Sequence, residues 1–495
     1  MNYLDLLRLA APEVILVMAV LVVLAVDLLA MQGVELRMRL LIGGMISCVG
    51  CVAAIGWMLA LPQRADFLQG MMVVDPLRTV VQIALLVLTI LTVLISLETS
   101  FTVHIGEYLG LILLATIGMM LLVSSEDILM IFLSLELTSL SLYILTAFNK
   151  RSQPSTEAAL KYFLFGGMSA AFTLFGLSLL YGLSGSTNLG QIAAAIRGPG
   201  LDPLLLLAIV LTVIGFGFKV AAAPFHLWAP DVYQGAPVPS AALIAAGSKV
   251  ASFFVLAKVM VIGFAGAEGN GGWQAYQPGW VPVLAIVAVI SMVLGNLIAI
   301  VQTSVRRLLA YSAIAHGGYM LLGVMTSGTN LSLSSLVYYS ITYGLTALGA
   351  FGVVSIVQEW SGGDRLTDFA GLSRRAPALS ACMMVFMLSL AGIPPLAGFF
   401  GKFYVFSAAL SAPHGSGLLW LIILAIGMSA VSLYYYLQVL KQIYVVEAPA
   451  QSPAGRAPVL GQIVLVVIAC AVLGLGCVPE WLIGKLNGVL QLSAL

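Results

Sequence analysis

Charged side chains are scarce in this chain of 495 residues. Asp, Glu, Lys and Arg make up 8% of the sequence, against about 25% in ordinary globular domains. Hydrophobic residues make up 61%. A water-soluble fold cannot bury that much apolar surface. The composition therefore excludes a soluble globular protein and predicts a polytopic protein surrounded by a lipid bilayer.

Net charge is nearly absent as well. The 21 basic and 20 acidic residues leave a formal charge of +1. A protein that binds nucleic acid needs a basic patch or stripe. We therefore expect no nucleic-acid partner.

Cysteine patterns typical of metal or redox sites are also lacking. Cys48 and Cys51 have a C-x-x-C spacing inside an apolar run, but no second pair or histidine lies nearby. Small buried hydrophobic side chains explain them better than a metal or redox site. The sequence shows no nucleotide, flavin, haem or iron–sulfur motif. We expect neither a metal nor a cofactor in this chain.

Long apolar runs, by contrast, fill the sequence. A membrane-spanning helix needs about 20 apolar residues, and the runs predict about fourteen spans, which we number 1 to 14. The runs are 12–30, 40–60, 74–97, 107–124, 126–148, 155–182, 203–228, 238–264, 280–302, 305–326, 331–358, 376–411, 416–444 and 457–478. The first has no small-residue cleavage site, so we expect it to be retained. The fold class is an all-α polytopic membrane protein.

Prolines interrupt two of the spans, and the interruptions predict an internal repeat. Pro224 lies in span 7, and Pro394 and Pro395 lie in span 12. A separation of five spans predicts two five-helix units, with the second unit inserted upside down relative to the first. The predicted organisation is an N-terminal three-helix segment (1–100), a first inverted repeat of helices 4–8 (101–265), a second of helices 9–13 (266–445) and a C-terminal helix 14 (446–495).

The positions of Lys and Arg predict the orientation. Cytoplasmic loops of membrane proteins carry an excess of these residues. Most of the Lys and Arg in the loops fall on the cytoplasmic side if the N-terminus lies outside. We therefore expect both termini on the outer, periplasmic side.

Ionisable side chains occur deep inside several spans. They are Glu136 in span 5, Lys161 in span 6, Lys219 in span 7, Lys249 in span 8 and Lys402 in span 12. Each such residue costs about 3 kcal/mol or more near the centre of a bilayer, so it is rarely kept without a task. Several in one chain predict a polar path for ions or protons.

Two of these lysines flank the proline interruptions. Lys219 lies five residues before Pro224, and Lys402 lies seven residues after Pro395. Burial disfavours the ammonium form, whereas the negative C-terminal end of a half-helix favours it. Either small rearrangements load and unload a proton there, or each lysine is a static polar plug in a gap lined by carbonyl groups.

Glu136 has no cationic neighbour one helical turn away, so its partner must come from another helix. Lys161 and Lys219 are the two candidates. A carboxylate about 7 Å from an ammonium gains about 2.4 kcal/mol at an effective dielectric constant near 20. Separating such a pair would favour release of the lysine proton. The alternative is a structural ion pair that holds two helices together.

Other polar residues extend the candidate path. We expect Lys249 to receive a proton from Lys219. Lys258 is about 13 Å further along the same helix, so we expect it near the outer face, either snorkelling to the headgroups or on an exit path. His316, in the middle of span 10, either bridges Lys249 and Lys402 or is a neutral core histidine. His226 follows the first interruption and either shapes the loop or accepts protons.

Further polar residues supply weaker signals. Hydroxyl groups in the same spans are candidates for holding ordered water between the charged sites: Ser248, Tyr311, Ser312, Tyr319 and Tyr343. Four acidic residues lie at span ends, where we expect them to be interfacial: Glu13, Asp27, Glu126 and Asp127.

Three segments carry a resemblance to a known family. The segment K-V-A-A-A-P-F-H-L-W-A-P-D-V-Y-Q-G-A-P, from Lys219 to Pro237, resembles the signature of the antiporter-like membrane subunits of respiratory complex I. The segments R-R-L-L-A-Y-S-A-I-A-H-G-G-Y-M and G-I-P-P-L-A-G-F-F-G-K-F are similar to the matching parts of that family. The resemblance covers nearly the whole chain. It is strongest to the subunit N type, because residue 402 is lysine where subunit M has glutamate and the chain stops soon after span 14, without the long lateral helix of subunit L.

The resemblance implies a proton-translocating NADH–quinone oxidoreductase in the bacterial inner membrane, with this chain as a non-redox translocase subunit. It implies that Glu136 and Lys219 form the first half-channel pair, with Lys161 beside Glu136. Lys249 would be the central connection and Lys402 the second half-channel site. It also implies subunits M and K as neighbours, and NADH, FMN, iron–sulfur clusters and quinone in partner subunits. A multisubunit sodium/proton antiporter is the alternative.

Overall fold

The computed structural model describes residues 8–60, 65–67, 70–196, 202–272, 276–326, 330–411, 417–448 and 458–492. The N-terminal segment consists of three long helices and one small hairpin. These are α1 (Ala11–Ala25, continued by a π-turn over Val26–Ala30), α2 (Leu36–Ala60), the antiparallel strands β1 (Ala65–Phe67) and β2 (Met72–Val74), and α3 (Pro76–Ser96). The hairpin lies just before α3, where the Asp75 side chain caps the helix by accepting a hydrogen bond from the amide of Arg78.

The next part of the chain contains the first interrupted span. Its helices are α4 (Ile105–Ser124), α5 (Ile128–Thr146), α6 (Gln153–Ser184), α7 (Leu189–Ile196), α8 (Pro203–Lys219), α9 (Trp228–Gly235), α10 (Val238–Ala245) and α11 (Gly247–Lys258, continued by a π-turn over Val259–Gly263).

The remaining part contains the second interrupted span. Its helices are α12 (Trp280–Ile300), α13 (Val305–Met325), α14 (Asn330–Ser361), a 3-10 turn (Leu366–Phe369), α15 (Leu372–Arg375), α16 (Pro377–Ala391), α17 (Ala397–Ser411), α18 (Leu419–Tyr444), α19 (Val459–Cys477) and α20 (Glu480–Leu492).

The lengths and the apolar composition of the helices confirm a polytopic helical membrane protein. Twelve helices of the described chain are long and apolar enough to cross a membrane, and α8 and α16 are shorter apolar helices. α8 and α16 each begin a span that the sequence predicts to be interrupted. The total of fourteen crossings stays a prediction.

The first interruption follows α8, which ends earlier than the predicted run 203–228. Ala221 has a left-handed backbone (φ 56°), and the Ala223–Pro224 peptide bond is cis. The amide of Ala222 donates to the carbonyl of Gly217 (2.8 Å), and the amide of Ala223 donates to Ser291 Oγ (2.8 Å). The backbone groups that the interruption frees are therefore bonded inside the protein, as a membrane requires.

The second interruption separates α16 from α17. Gly392 ends α16 in a left-handed conformation (φ 87°) that favours glycine, and the Pro394–Pro395 peptide bond is cis. Gly398, in the first turn of α17, lies so close to α16 that a Cβ atom would overlap the carbonyl oxygen of Ser389. The two half-helices thus meet at their ends around the position of Lys402.

Packing around the two interruptions follows one pattern. α4 packs against α5, and α12 packs against α13. The second half-helix of each interrupted span packs on the long helix before it, α9 on α6 and α17 on α14. Both half-helices also contact α13, which therefore lies between the two interruptions.

Candidate functional site

Glu136 and Lys219 form an ion pair between two helices. Glu136 lies midway along α5, and Lys219 is the last residue of α8. Lys219 Nζ is 3.5 Å from Glu136 Oε1 and donates to Ser139 Oγ at 2.5 Å. Ser139 follows Glu136 by three residues, so both lie on the face of α5 that meets α8. The side chains are 9% (Lys219) and 24% (Glu136) exposed. The partner of Glu136 is therefore Lys219.

Lys161 is not the ion-pair partner of Glu136. Its Nζ lies 2.7 Å from Glu157 Oε1 and 2.8 Å from Asp231 Oδ2, and its side chain is 40% exposed. Sequence alone does not show this pairing, because Asp231 lies 70 residues away on α9. Arg307 from α13 binds the other oxygen of Asp231 (2.7 Å). Lys161 thus belongs to an ion network that joins α6, α9 and α13.

Lys249 is buried at the start of α11 and is 2% exposed. Its Nζ donates to the carbonyl of Ala313 on α13 (2.5 Å) and lies 5.6 Å from the centre of the Tyr343 ring. No carboxylate of the described residues lies within 4.0 Å of this ammonium. A backbone carbonyl and an aromatic face are its partners.

Lys402 is buried on α17 and is 4% exposed. Its Nζ donates to the carbonyls of Leu390 (3.0 Å) and Ala391 (3.1 Å) and to Ser429 Oγ (2.9 Å). Leu390 and Ala391 are the last residues of α16, whose carbonyl groups have no partners within the helix. The structure therefore confirms that this lysine lies at the negative end of a half-helix.

His316 lies between Lys249 and Lys402. Its ring centre is 5.0 Å from that of Tyr343, whose face meets Lys249, and 5.7 Å from that of Tyr319. Lys402 Nζ is 5.2 Å from the centre of the Tyr319 ring. The imidazole of His316 is thus separated from each lysine by one tyrosine ring.

Both nitrogens of His316 contact tyrosine hydroxyl groups. Nδ1 is 2.7 Å from Tyr339 Oη, and Nε2 is 3.1 Å from Tyr436 Oη, which in turn is 2.5 Å from Ser312 Oγ. A hydroxyl group both donates and accepts hydrogen bonds, so this environment accommodates either neutral tautomer and the imidazolium. Such a site can accept a proton on one nitrogen and release it from the other.

Sequence reasoning missed Tyr339 and Tyr436. The signal available for Tyr436 is the run of three tyrosines at 434–436 inside an apolar helix. Tyr435 Oη donates to Asn296 Oδ1 (3.0 Å), and Asn296 Nδ2 donates to Tyr319 Oη (2.9 Å). Polar side chains from α12, α13, α14 and α18 therefore converge around His316.

The five predicted hydroxyl groups divide between two environments. Ser312, Tyr319 and Tyr343 surround His316. Ser248 instead donates to the carbonyl of Ile244 within its own span (2.8 Å), and Tyr311 is half-buried. A role for the last two in holding water stays a prediction.

His226 lies in the first interruption, between α8 and α9, and is 7% exposed. Its Nδ1 is buried and has no hydrogen-bond partner among the described residues. The contacts are compatible with a histidine that shapes the loop and with one that accepts a proton, so both predictions stand.

The alternative that Lys258 snorkels to the headgroups is wrong, whereas its position near the outer face and on an exit path stays a prediction. Lys258 is 5% exposed, and its Nζ donates to the carbonyl of Val123 on α4 (2.8 Å). Lys258 follows Lys249 by nine residues, which is about two and a half helical turns. The two lysines therefore lie on opposite faces of α11. The face of Lys258 packs against α3 and α4 rather than against lipid.

Three of the four acidic residues at the span ends are buried by tertiary contacts, and their interfacial position stays a prediction. Glu13, Asp27 and Asp127 are each 5% exposed. Asp27 binds Arg39 (2.8 Å), and Asp127 accepts hydrogen bonds from the first amides of α5. Tertiary contacts cover the ends of these helices, which a one-dimensional run does not reveal.

The described part of the chain contains no group of three or more His, Cys, Asp and Glu residues that could hold a metal ion. Cys48 and Cys51 are free thiols.

Residues 125–430 match the family model described as NADH:quinone oxidoreductase/Mrp antiporter, TM. The chain is 54% identical over 490 residues to NADH-quinone oxidoreductase subunit N 2 of Acidobacterium capsulatum, covering 97% of this chain and 98% of that protein.

Two solved structures have the same fold. A chain of respiratory complex I from Thermus thermophilus with bound aureothin is 34% identical, with a TM-score of 0.77, and the match covers 96% of this chain and 99% of that one. A chain of the Mrp complex from Dietzia sp. DQ12-45-1b has a TM-score of 0.81 at 20% identity, covering 98% of this chain and 96% of that one, which shows the fold alone.

Proposed function

This chain belongs to the antiporter-like membrane subunits of respiratory complex I, of the subunit N type, and we propose that it translocates protons in the membrane arm of an NADH–quinone oxidoreductase. The observation that carries the proposal is the position of His316 between Lys249 and Lys402, with each lysine buried and bonded inside the protein. Buried ionisable groups in a membrane protein mark ion or proton paths by default.

The first step of the proposed relay is the separation of Glu136 from Lys219. At 3.5 Å and an effective dielectric constant near 20, the attraction is roughly 5 kcal/mol. Because Glu136 is 24% exposed, solvent screening makes this an upper value. Separating the pair removes this stabilisation of the ammonium, so Lys219 then releases its proton toward Lys249.

The second step runs from Lys249 to Lys402 through His316. The tyrosine hydroxyl groups on both ring nitrogens let His316 change protonation state without losing its hydrogen bonds. Lys402 then holds the proton against the terminal carbonyls of α16. Movement of α17 relative to α16 would weaken those contacts and release the proton.

The energy for this transport must come from outside the chain. Moving one proton against 100 mV requires about 2.3 kcal/mol, and we assign no redox centre to this chain. In our proposal the chain is the non-redox part of a translocase, with NADH, FMN, iron–sulfur clusters and quinone bound by partner subunits, and with subunits M and K as its neighbours.

The packing around the interruptions supports the proposed organisation. We place two inverted five-helix repeats at 101–265 and 266–445, between a three-helix segment and a last helix, for fourteen crossings in total. The matching contacts of α9 with α6 and of α17 with α14 are the pattern that such a repeat produces. We place the chain in the bacterial inner membrane with both termini on the periplasmic side, because the loop Lys and Arg then lie mostly inside.

A subunit of a multisubunit sodium/proton antiporter is the second candidate. The fold match to a chain of the Mrp complex from Dietzia favours it, because the two chains share the fold over nearly their whole lengths. The ion that drives transport distinguishes the two candidates.

Lys219→Met in the complete complex, reconstituted in vesicles, tests the proposal. We expect NADH-driven acidification to fall at least roughly tenfold, because a proton-transfer group is removed. Lys441→Met is the control, because Lys441 is exposed at the end of α18. Acidification that stays at the wild-type rate would contradict the proposal. Acidification driven by a sodium gradient, with none driven by NADH, would support the antiporter instead.

A further inference from the structure

A second group of buried polar residues lies on the opposite side of α11 from the relay. It occupies the end of the bundle where α1 and α3 begin and where α4 and α11 end. We call Glu13, Gln82, Ser124 and Lys258 the end cluster. Glu13 and Lys258 are each 5% exposed, Gln82 is 6% exposed and Ser124 is 2% exposed. None of them takes part in the relay described above.

Gln82 holds the end cluster together. Its Nε2 lies 3.1 Å from Glu13 Oε1, 2.8 Å from Ser124 Oγ and 3.2 Å from the carbonyl of Met120. The other oxygen of the Glu13 carboxyl group, Oε2, is buried and has no hydrogen-bond partner in the part of the chain that the structure describes. A buried carboxylate oxygen without a donor is costly. Such an atom calls for a water, an ion or a proton.

Glu13 lines a cavity large enough for water. The cavity has about 30 Å³ open to water, which is room for about two molecules. Arg8, Trp57, Met72, Thr79 and Gln82 contribute to its walls. Met72 belongs to strand β2, so the small hairpin covers this side of the cavity. Glu13 thus borders a space that can hold water.

Lys258 joins the end cluster through α4. Its Nζ donates to the carbonyl of Val123, and the next residue, Ser124, holds Gln82. The structure gives this ammonium one acceptor and one aromatic face, that of Phe254 (5.6 Å). Glu13 and Lys258 are therefore anchored to consecutive residues in the last turn of α4.

Two basic residues also lie near this end of the bundle, one of them paired and the other exposed. Arg78 binds Glu126 and lies 3.0 Å from Asp75 Oδ2. Arg8, on the cavity wall, is exposed. Glu13 and Lys258 are the two buried ionisable side chains named here that have no opposite charge within 4.0 Å among the described residues.

We propose that Glu13 and Lys258 are proton-transfer residues that connect α11 to water at this end of the bundle. In the step, one N–H bond breaks at Lys258 Nζ and one O–H bond forms at Glu13 Oε2, with water carrying the proton between the two groups. An ammonium and a carboxylate become an amine and a carboxylic acid, both neutral, so neither buried charge remains. The acid then releases its proton into the cavity. This inference rests on the proposed function.

Glu13→Gln and Lys258→Met in the complete complex, reconstituted in vesicles, test the inference. Gln at position 13 keeps a side-chain oxygen for Gln82 but binds no proton. We expect each variant to lower NADH-driven acidification at least roughly tenfold, with Glu13→Asp retaining most of the rate. Glu447→Gln is the matched control, because that side chain is 82% exposed. Wild-type acidification in Glu13→Gln would overturn the inference.

A second measurement separates transport from assembly. Infrared difference spectra of the oxidised and reduced wild-type complex should contain the C=O band of a carboxylic acid that is absent in Glu13→Gln. If Glu13→Gln fails to assemble, an unchanged carboxyl region during wild-type turnover overturns the inference. If Lys219→Met abolishes acidification while Glu13→Gln pumps normally, only this inference fails. Normal proton pumping by the Lys219→Met variant would contradict the proposed function itself.

Discussion

The ammonium groups of the three relay lysines have three different sets of contacts. Lys219 has a carboxylate and a hydroxyl group, Lys249 has one carbonyl and a tyrosine ring, and Lys402 has two carbonyls and a hydroxyl group. Of the three lysines, Lys219 is the one with a carboxylate partner, and it lies at one end of the relay. The proton therefore meets a different electrostatic environment at each position, which is what directional transfer requires.

Lys402→Met should stop transport through the second half of the relay. The substitution removes the titratable group and leaves the carbonyls of Leu390 and Ala391 without their donor. We expect NADH-driven acidification by the reconstituted complex to fall at least roughly tenfold, which corresponds to about 1.4 kcal/mol of barrier. Lys441→Met should retain the wild-type rate. Equal rates in the two variants would refute the role of Lys402.

Glu136 and Lys219 should act as one unit. Glu136→Gln removes the charge from the pair, and Lys219→Met removes the proton carrier. We expect the double variant to lose no more acidification than Lys219→Met alone, because the carboxylate acts through the lysine. Rates of vesicle acidification in the four combinations measure this coupling. Losses that simply multiply would show that the two residues work independently.

At this scale the sequence predicts which residues matter better than it predicts their partners. Glu136, Lys219, Lys249 and Lys402 stand out because a charge inside an apolar run is costly. Lys249 and Lys402 are buried, and Lys219 and Glu136 are partly buried. The hydroxyl group of Tyr436 and the carbonyl of Val123 come from distant helices, so no spacing in the sequence indicates them. The burial of Lys258 is not predictable from its position near the end of a span, because α3 and α4 cover its face of α11.

The half-helix α9 is held at its C-terminal end by α13. Arg306 donates to the carbonyls of Tyr233 and Ala236 and is 4% exposed. Its neighbour Arg307 binds Asp231, on the same half-helix. Positive groups at the C-terminal end of a helix stabilise it. Because His316 lies ten residues further along α13, this contact ties the first interruption to the helix at the centre of the relay.

Arg306→Ala should destabilise the protein by about 3 kcal/mol, because it leaves buried carbonyl groups without a donor and removes a buried side chain. The fraction of assembled complex that survives graded heating in detergent measures the effect. Arg374→Ala is the control, since Arg374 and its partner Glu447 are 76% and 82% exposed, and exposed pairs contribute little. Equal survival of the two variants would show that α9 is held by other contacts.

Proline predicts the two interruptions correctly but not their extent. The ring removes an amide donor and blocks a straight helix, so Pro224 and Pro395 locate the breaks. The first break extends from Val220 to Leu227, because Ala221 adopts a left-handed backbone that no side-chain pattern indicates. The separation of α10 from α11 at Ala246 was also missed, since no proline marks it.

On the scale of the whole molecule, the relay and the end cluster lie on opposite faces of α11. Lys249 faces His316 and the relay, and Lys258 faces the end cluster of the N-terminal segment. A helix that carries an ionisable group on each face can couple the two groups, because any movement of the helix changes both environments. The sequence shows both lysines, but only the packing of α3 and α4 shows that they face different partners.

The orientation of the chain can be tested with a membrane-impermeant thiol reagent. In a variant lacking the exposed Cys470 and Cys477, we expect a cysteine at Gln191 to react from the periplasmic side. A cysteine at Arg151 should react only after the cytoplasmic side is opened. Both native side chains are exposed, so the reagent can reach them. Reaction in the reverse order would invert the proposed topology.

The most direct test of proton transport through the buried lysines is the number of protons moved per NADH oxidised by purified complex in sealed vesicles, compared between the wild type and Lys249→Met. Lys249 is the buried group that links the two halves of the relay. The account predicts that Lys249→Met loses proton movement that the wild type sustains, in a complex assembled to the same level. A wild-type ratio of protons to NADH in that variant would contradict it.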